Sequence, residues 1–105
     1  NFAWRLGGDR RWRLAPAFDL TFSEGPMGHH HMDVCGEGNA VKRSHLLRLA
    51  SEGGVATKAA EATIDRMVAQ AVTFSQRAAA YPIRRTTVQR MKASIHNCQK
   101  KLMRE

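Results

Sequence analysis

The chain lacks most of the features that would assign it a chemistry at once. Only two of its 105 residues are cysteines, Cys35 and Cys98, far apart and with no CxxC spacing. They offer no disulfide framework, and they fit a reduced, cytoplasmic protein in which both thiols are small apolar side chains. No apolar run approaches the ~18 residues of a membrane span, and no signal peptide is visible. There is no glycine-rich phosphate loop. Gly7-Gly8 and Gly36-Glu37-Gly38 lack the strand–loop–helix setting that a phosphate cradle needs. No Ser–His–Asp arrangement is supported by spacing. Acidic residues are scarce: nine Asp and Glu against seventeen Lys and Arg give a formal net charge of +8 and a pI near 10.5. Such a balance favours acidic partners, whether nucleic acid, nucleotides, acidic proteins or anionic lipid, without choosing among them.

What is present suits one domain or a piece of one. The chain opens on Asn1-Phe2 rather than on Met, as a processed terminus or a piece of a longer protein would. Hydrophobic residues make up 43%. A chain of this size buries only about two-thirds of its unfolded surface, so a modest core and marginal stability are expected.

In chain order, Phe2-Ala3-Trp4-Arg5-Leu6 reads as a strand, Gly7-Gly8-Asp9 as a turn, and Arg11-Trp12-Arg13-Leu14 as the returning strand. Trp12 and Leu14 share one face, Arg11 and Arg13 the other. Antiparallel strands of equal length return the chain to its start, so the hairpin brings its two ends, Asn1 and Asp19, together. By itself Asp19 reads equally as a turn residue after Pro16. Residues 21–28 form a loop. In His29-His30-His31 with Asp33 and Cys35, extended backbone would place His29, His31, Asp33 and Cys35 on one side and His30 on the other. Zinc accepts these ligand types, but the spacing matches no zinc motif. Residues 42–51 read as a short helix stopped by Gly53-Gly54. A second helix runs from Thr57 to about Ala80, with Ala60, Ile64, Met67, Val68, Ala71, Phe74 and Ala78 on one face. Tyr81-Pro82 ends it. Thr86 and Gln89 fit a capping box that opens a third helix, on which Val88, Met91, Ile95, Cys98 and Leu102 make a narrow packing stripe. Arg84, Arg85, Arg90, Lys92, Lys100, Lys101 and Arg104 occupy the other faces. They are either a solvated helix surface or a patch for nucleic acid or an acidic partner; without interleaved aromatics they do not suit single-strand base stacking. The fold class is therefore α+β: N-terminal hairpin structure over residues 1–40, then a three-helix, mainly α subdomain over 41–105.

The segment Trp12-Arg13-Leu14-Ala15-Pro16-Ala17-Phe18-Asp19-Leu20 resembles the metal-binding loop of HipA-like serine/threonine kinases, the toxins of type II toxin–antitoxin pairs in bacteria. Asn1-Phe2 resembles the end of that family's catalytic loop. Gly25-Pro26-Met27-Gly28, His29-His30, Met32, Val34 and Gly36 resemble the hairpin after the metal loop. His45-Leu46-Leu47 with Leu49-Ala50 resembles the helix beyond it. The resemblance is continuous over residues 1–50 and afterwards extends only to helical character. His30 matches the family's histidine, whereas His29 stands where the family has an acidic residue and His31 where it has a small polar one.

The resemblance implies a piece of a kinase-like C-terminal lobe. Asn1 and Asp19 would hold Mg²⁺ on the phosphates of ATP, and the catalytic Asp would lie a few residues upstream of Asn1. The intact protein would phosphorylate serine or threonine in a protein substrate. By the same resemblance, an antitoxin bound to operator DNA would be its partner. No catalytic residue lies within these 105 residues and no nucleotide-clamping lysine can be placed, so the chain alone is not expected to transfer phosphate. The rival reading is a small basic helical module that binds nucleic acid or protein without catalysis.

Overall fold

The computed structural model describes residues 1–103. Its elements are an antiparallel hairpin of β1 (Trp4–Leu6) and β2 (Trp12–Leu14), a single 3₁₀ turn at Pro26–Gly28, and four helices: α1 (Arg43–Glu52), α2 (Thr57–Val72), α3 (Phe74–Ala78) and α4 (Arg85–Met103). The α+β architecture expected from the sequence is present, with more helix than strand.

In the hairpin Trp4 pairs with Leu14, Arg5 with Arg13 and Leu6 with Trp12. Because side chains alternate, Trp4, Leu6, Trp12 and Leu14 share one face. All four are more than half exposed. Arg5 and Arg13 meet as like charges on the opposite face, and Asp9 relieves this by taking a bidentate pair of hydrogen bonds from the Arg13 guanidinium, one of them 2.9 Å long. The turn is closed by the Arg10 N–H donating to the Gly7 carbonyl and the Gly7 N–H to the Arg11 carbonyl, each at 2.9 Å. Arg10, not a glycine, takes the left-handed conformation here, at φ 59°.

Residues 21–42 cross the molecule without forming a second ladder. A lone bridge joins Val34 to Glu37. Gly25 is required at its position: φ is +72°, and a Cβ there would lie 1.9 Å from the His29 carbonyl oxygen. The Glu37 carboxylate accepts the N–H groups of Asn39 (2.8 Å) and Ala40 (2.7 Å), which ties the Gly36-Glu37-Gly38 turn to the start of the helical part. At the start of α1, His45 Nδ1 accepts the Lys42 N–H at 3.0 Å. Gly54, at φ +71°, supplies the left-handed residue after α1.

The helix expected from Thr57 to about Ala80 is broken at Thr73, so the helical part has four helices rather than three. The Thr73 hydroxyl donates to the Gln70 carbonyl (2.9 Å), as does the Arg77 guanidinium (2.9 Å). A carbonyl drawn to side-chain donors stops serving the helix ladder, and a β-branched Thr with its own hydroxyl partner favours such a break. Helix α4 begins one residue earlier than its proposed cap. Thr86 lies inside the helix, where it cannot serve as an N-cap. The Val88 N–H instead donates to the Arg84 carbonyl at 3.1 Å.

Helix α2 is the centre of the packing and touches α1, α3 and α4. Arg43 on α1 meets Asp65 on α2 at 2.7 Å, and Gln99 on α4 donates to the Val68 carbonyl at 3.2 Å. Among the described residues only Ala60, Ile64 and Ala78 are buried. Met67, expected on the packing face, is 60% exposed, since the covered line runs through buried Ala60 and Ile64 and half-buried Val68, four residues apart, and passes it by. Val88, Met91, Ile95 and Leu102 on α4 are half-buried, and Cys98 is exposed. The radius of gyration is 16.0 Å, against about 13 Å for a compact domain of this length. The helices thus form a thin layer over a small core. Ile64→Ala should cost about 2–3 kcal/mol and lower Tm in a thermal melt by roughly 10–20 °C. Leu102→Ala, at a half-buried position, should shift Tm clearly less.

Candidate functional site

Pro16 sets the site. In the observed register Ala15 is the last residue of the second strand to donate to the first, its N–H reaching the Ala3 carbonyl at 2.8 Å. Pro16 has no N–H and ends the ladder. Beyond it the chain turns at Asp19, which sits at φ +50°. Asp is among the few residues other than glycine that visit this region readily, because its short polar side chain finds local hydrogen bonds.

That turn returns Asp19 to the start of the chain. The Asn1 carboxamide Nδ2 donates to the Asp19 backbone carbonyl at 2.8 Å and to the carboxylate Oδ2 at 3.4 Å. Two residues eighteen apart in sequence are thereby held in one hydrogen-bonded unit, both exposed to solvent. The juxtaposition expected from the hairpin is therefore present. Asn1 and Asp19 together offer a carboxamide oxygen and a carboxylate. These are hard oxygen donors of the kind that suits Mg²⁺, which takes one or two protein ligands and completes its shell with water and phosphate oxygens.

The three histidines do not form the row that an extended backbone would give. Residues 29–33 contain no strand, and Gly28 at φ +78° together with the bend at His31 and Met32 breaks the alternation. His29 Nε2 lies 3.3 Å from Asn39 Nδ2. The His30 N–H donates to the Gly38 carbonyl at 2.8 Å, and the His30 side chain lines a small polar cavity with Asn39, Ser94, Asn97 and Lys101. Among the described residues no three His, Cys, Asp or Glu side chains converge. Among the described residues no helix is long and apolar enough to cross a membrane.

Residues 1–74 match the family model of the HipA-like C-terminal domain. The chain belongs to this family. HipA-like C-terminal domains are part of the HipA kinase family, and the matched span takes in the hairpin, the Asn1 and Asp19 pair, the loop with His30, and helices α1 and α2. The match ends at Phe74, the first residue of α3 and the point where the long helix breaks. No curated protein and no solved structure matches the chain significantly.

Two carboxylates that support this HipA-like scaffold were not singled out from the sequence. Asp9 is held below the usual carboxylate range, first by the Arg13 guanidinium and then by the Arg11 N–H. Glu37 is held low by the N–H groups of Ala40 and Asn39. The Gly-Asp and Gly-Glu-Gly contexts were the available signals, since acids in tight turns commonly accept backbone N–H groups. Both groups bind protons less readily in the folded than in the unfolded chain. Their stabilisation is therefore complete above the unfolded pKa, about 4, and is lost as pH falls through the lower folded values. Acid unfolding followed by far-UV circular dichroism should steepen below about pH 4. Asp9→Asn combined with Glu37→Gln should flatten the profile there; an unchanged profile would mean that neither turn contributes.

Proposed function

We propose that this chain supplies the metal-holding part of the active site of a HipA-like serine/threonine protein kinase, together with the helical layer that supports it. The observation that carries the reading is the hydrogen-bonded pairing of Asn1 with Asp19 across the base of the hairpin. A half-turn of the Asn1 carboxamide would place Oδ1 where Nδ2 now faces Asp19, giving two oxygens side by side. In that arrangement Asn1 and Asp19 hold Mg²⁺, which when bound neutralises charge on the phosphates of ATP during transfer. The remaining work of this chain is positional: the hairpin fixes Asn1, and the turn after Pro16 aims Asp19.

The general base belongs to an Asp upstream of Asn1, and the nucleotide-clamping lysine to a further lobe. The whole protein would then transfer the γ-phosphate of ATP to a serine or threonine of a protein substrate, in the cytoplasm, under control of an antitoxin that binds operator DNA. The lobe extends in this reading across all 105 residues. Support comes from α4, which lies beyond the matched span yet packs on α1, α2 and α3. The exposed Trp4, Leu6, Trp12 and Leu14 face and the thin core support a layer that is completed by further protein.

The left-handed backbone decides which variant tests this. Asp19→Ala would remove the carboxylate but also strain the turn, because alanine gains no local hydrogen bond at positive φ. Asp19→Asn keeps the shape and the tolerance for this conformation while removing the charge. In the protein that carries the nucleotide lobe, Asp19→Asn and Asn1→Ala should each lower phosphoryl transfer by ~100-fold or more, with an unchanged circular dichroism spectrum. Asp19→Asn should have the larger effect. Wild-type rates in Asp19→Asn would exclude the metal role of Asp19, whereas no phosphoryl transfer by the wild-type protein itself would favour the non-catalytic basic module.

A further inference from the structure

One groove of the molecule includes neither Asn1 nor Asp19. It lies between the end of α2 and α3 on one side and α4 on the other, with a volume of about 610 Å³. Its surface is mainly apolar, including Val72, Phe74, Ile95 and Met103, and Lys92 and Lys100 also line it. Val72 and Met103 are each about 70% exposed. Helix α4, which forms one whole wall, lies outside the span matched by the family model.

Of the residues that line this groove, only Lys92 and Lys100 carry a permanent charge. From residue 66 to residue 103 the chain carries eight Lys and Arg and no Asp or Glu. Lys92 and Lys100 are exposed and form no ion pair among the described residues. They stand eight residues apart on α4, so about 12 Å separates them along the helix axis. The Asp65 carboxylate, the last acid before this stretch, is engaged by Arg43.

We propose that this groove docks an acidic amphipathic helix of a partner protein. Apolar side chains of that helix would cover Val72, Phe74, Ile95 and Met103, and carboxylates about two turns apart would meet Lys92 and Lys100. The helix-in-groove mode uses anchors at i, i+3, i+4 and i+7, and a flanking charge of opposite sign fixes orientation and speeds encounter. A second copy of this chain is disfavoured, because it would bring the lysines of one groove against those of the other. Duplex DNA would satisfy the lysines but leave the apolar lining uncovered. An anionic bilayer is flat and would not enter a groove between helices.

The test is fluorescence anisotropy with the 105-residue chain and a labelled 18-residue helical peptide that has Leu at i, i+3, i+4 and i+7 and Glu on its remaining faces. Saturable binding is expected, weakening as salt is raised from 50 to 300 mM. It should weaken ~10-fold or more in Lys92→Glu/Lys100→Glu and severalfold in Val72→Gln. Lys92→Gln/Lys100→Gln, which introduces no new charge, should lie between the wild type and the reversal variant. Circular dichroism of each variant should match the wild type. The proposal is overturned if the peptide does not bind, or if a peptide with Ser in place of Leu binds equally well. It also fails if a 20-base-pair duplex or a phosphatidylserine vesicle binds more tightly than the peptide and loses binding in the same lysine variants. None of these outcomes depends on phosphoryl transfer.

Discussion

Pairing of Trp4 with Leu14 fixes the location of everything N-terminal to the helices. Once those two residues are opposed, Ala3 must meet Ala15, and the ladder can go no further because the next position is Pro16. The hairpin is short, three residues in each strand. An error of one residue in register would put the two tryptophans on opposite faces of the hairpin and move Asn1 away from Asp19. The turn is what prevents this. Asp9 binds Arg13 and the Arg11 N–H, and so ties the loop to the returning strand on the side where two arginines would otherwise repel. A surface ion pair is ordinarily worth little. Here its consequence is geometric: it helps select the register on which the Asn1 and Asp19 pairing depends.

The helical part obeys a different constraint. It has many alanines and few large side chains to bury, so its helices approach closely over Ala60, Ile64 and Ala78 but enclose little volume. Directional contacts supplement this packing. Arg43 joins α1 to α2, Gln99 joins α4 to α2, and the Lys101 ammonium reaches the Asn39 carbonyl at 3.2 Å, linking α4 to the loop that precedes α1. That last contact is a polar link between the loop ahead of α1 and the helices, and half-buried Phe22 adds an apolar one beside Val68 and Leu102.

The parts of this architecture that were legible in the sequence are those with strong local rules. Gly7-Gly8-Asp9 between two aromatic segments marked the hairpin, and counting back along it placed Asn1 beside Asp19. Gly53-Gly54 and Tyr81-Pro82 marked helix ends. Other features depended on competition between a local preference and a distant partner. The break at Thr73 arises because side chains from Thr73 and Arg77 converge on one carbonyl, a pairing that periodicity does not register. The histidine row failed because alternation holds only where a ladder keeps the backbone extended, and residues 29–33 have no such neighbour. Met67 fits the spacing of a broad apolar face, but the face that is covered is narrow and turns toward Ala60 and Ile64. The left-handed backbone at Asp19 could not be read from residue type, because Asp is equally at home in an ordinary turn.

That backbone conformation bears on how this position changes over generations. Most replacements at φ +50° strain the chain and expose themselves through poor folding. Asparagine is an exception: it is reached from aspartate by a single base change, shares its shape and accepts the same backbone geometry. The fold therefore offers no resistance to a substitution that removes the Asp19 charge. A descendant with Asn at residue 19 would keep its hairpin, its helices and any binding surfaces on them. In a lineage of such proteins, loss of that charge and retention of structure lie one mutation apart.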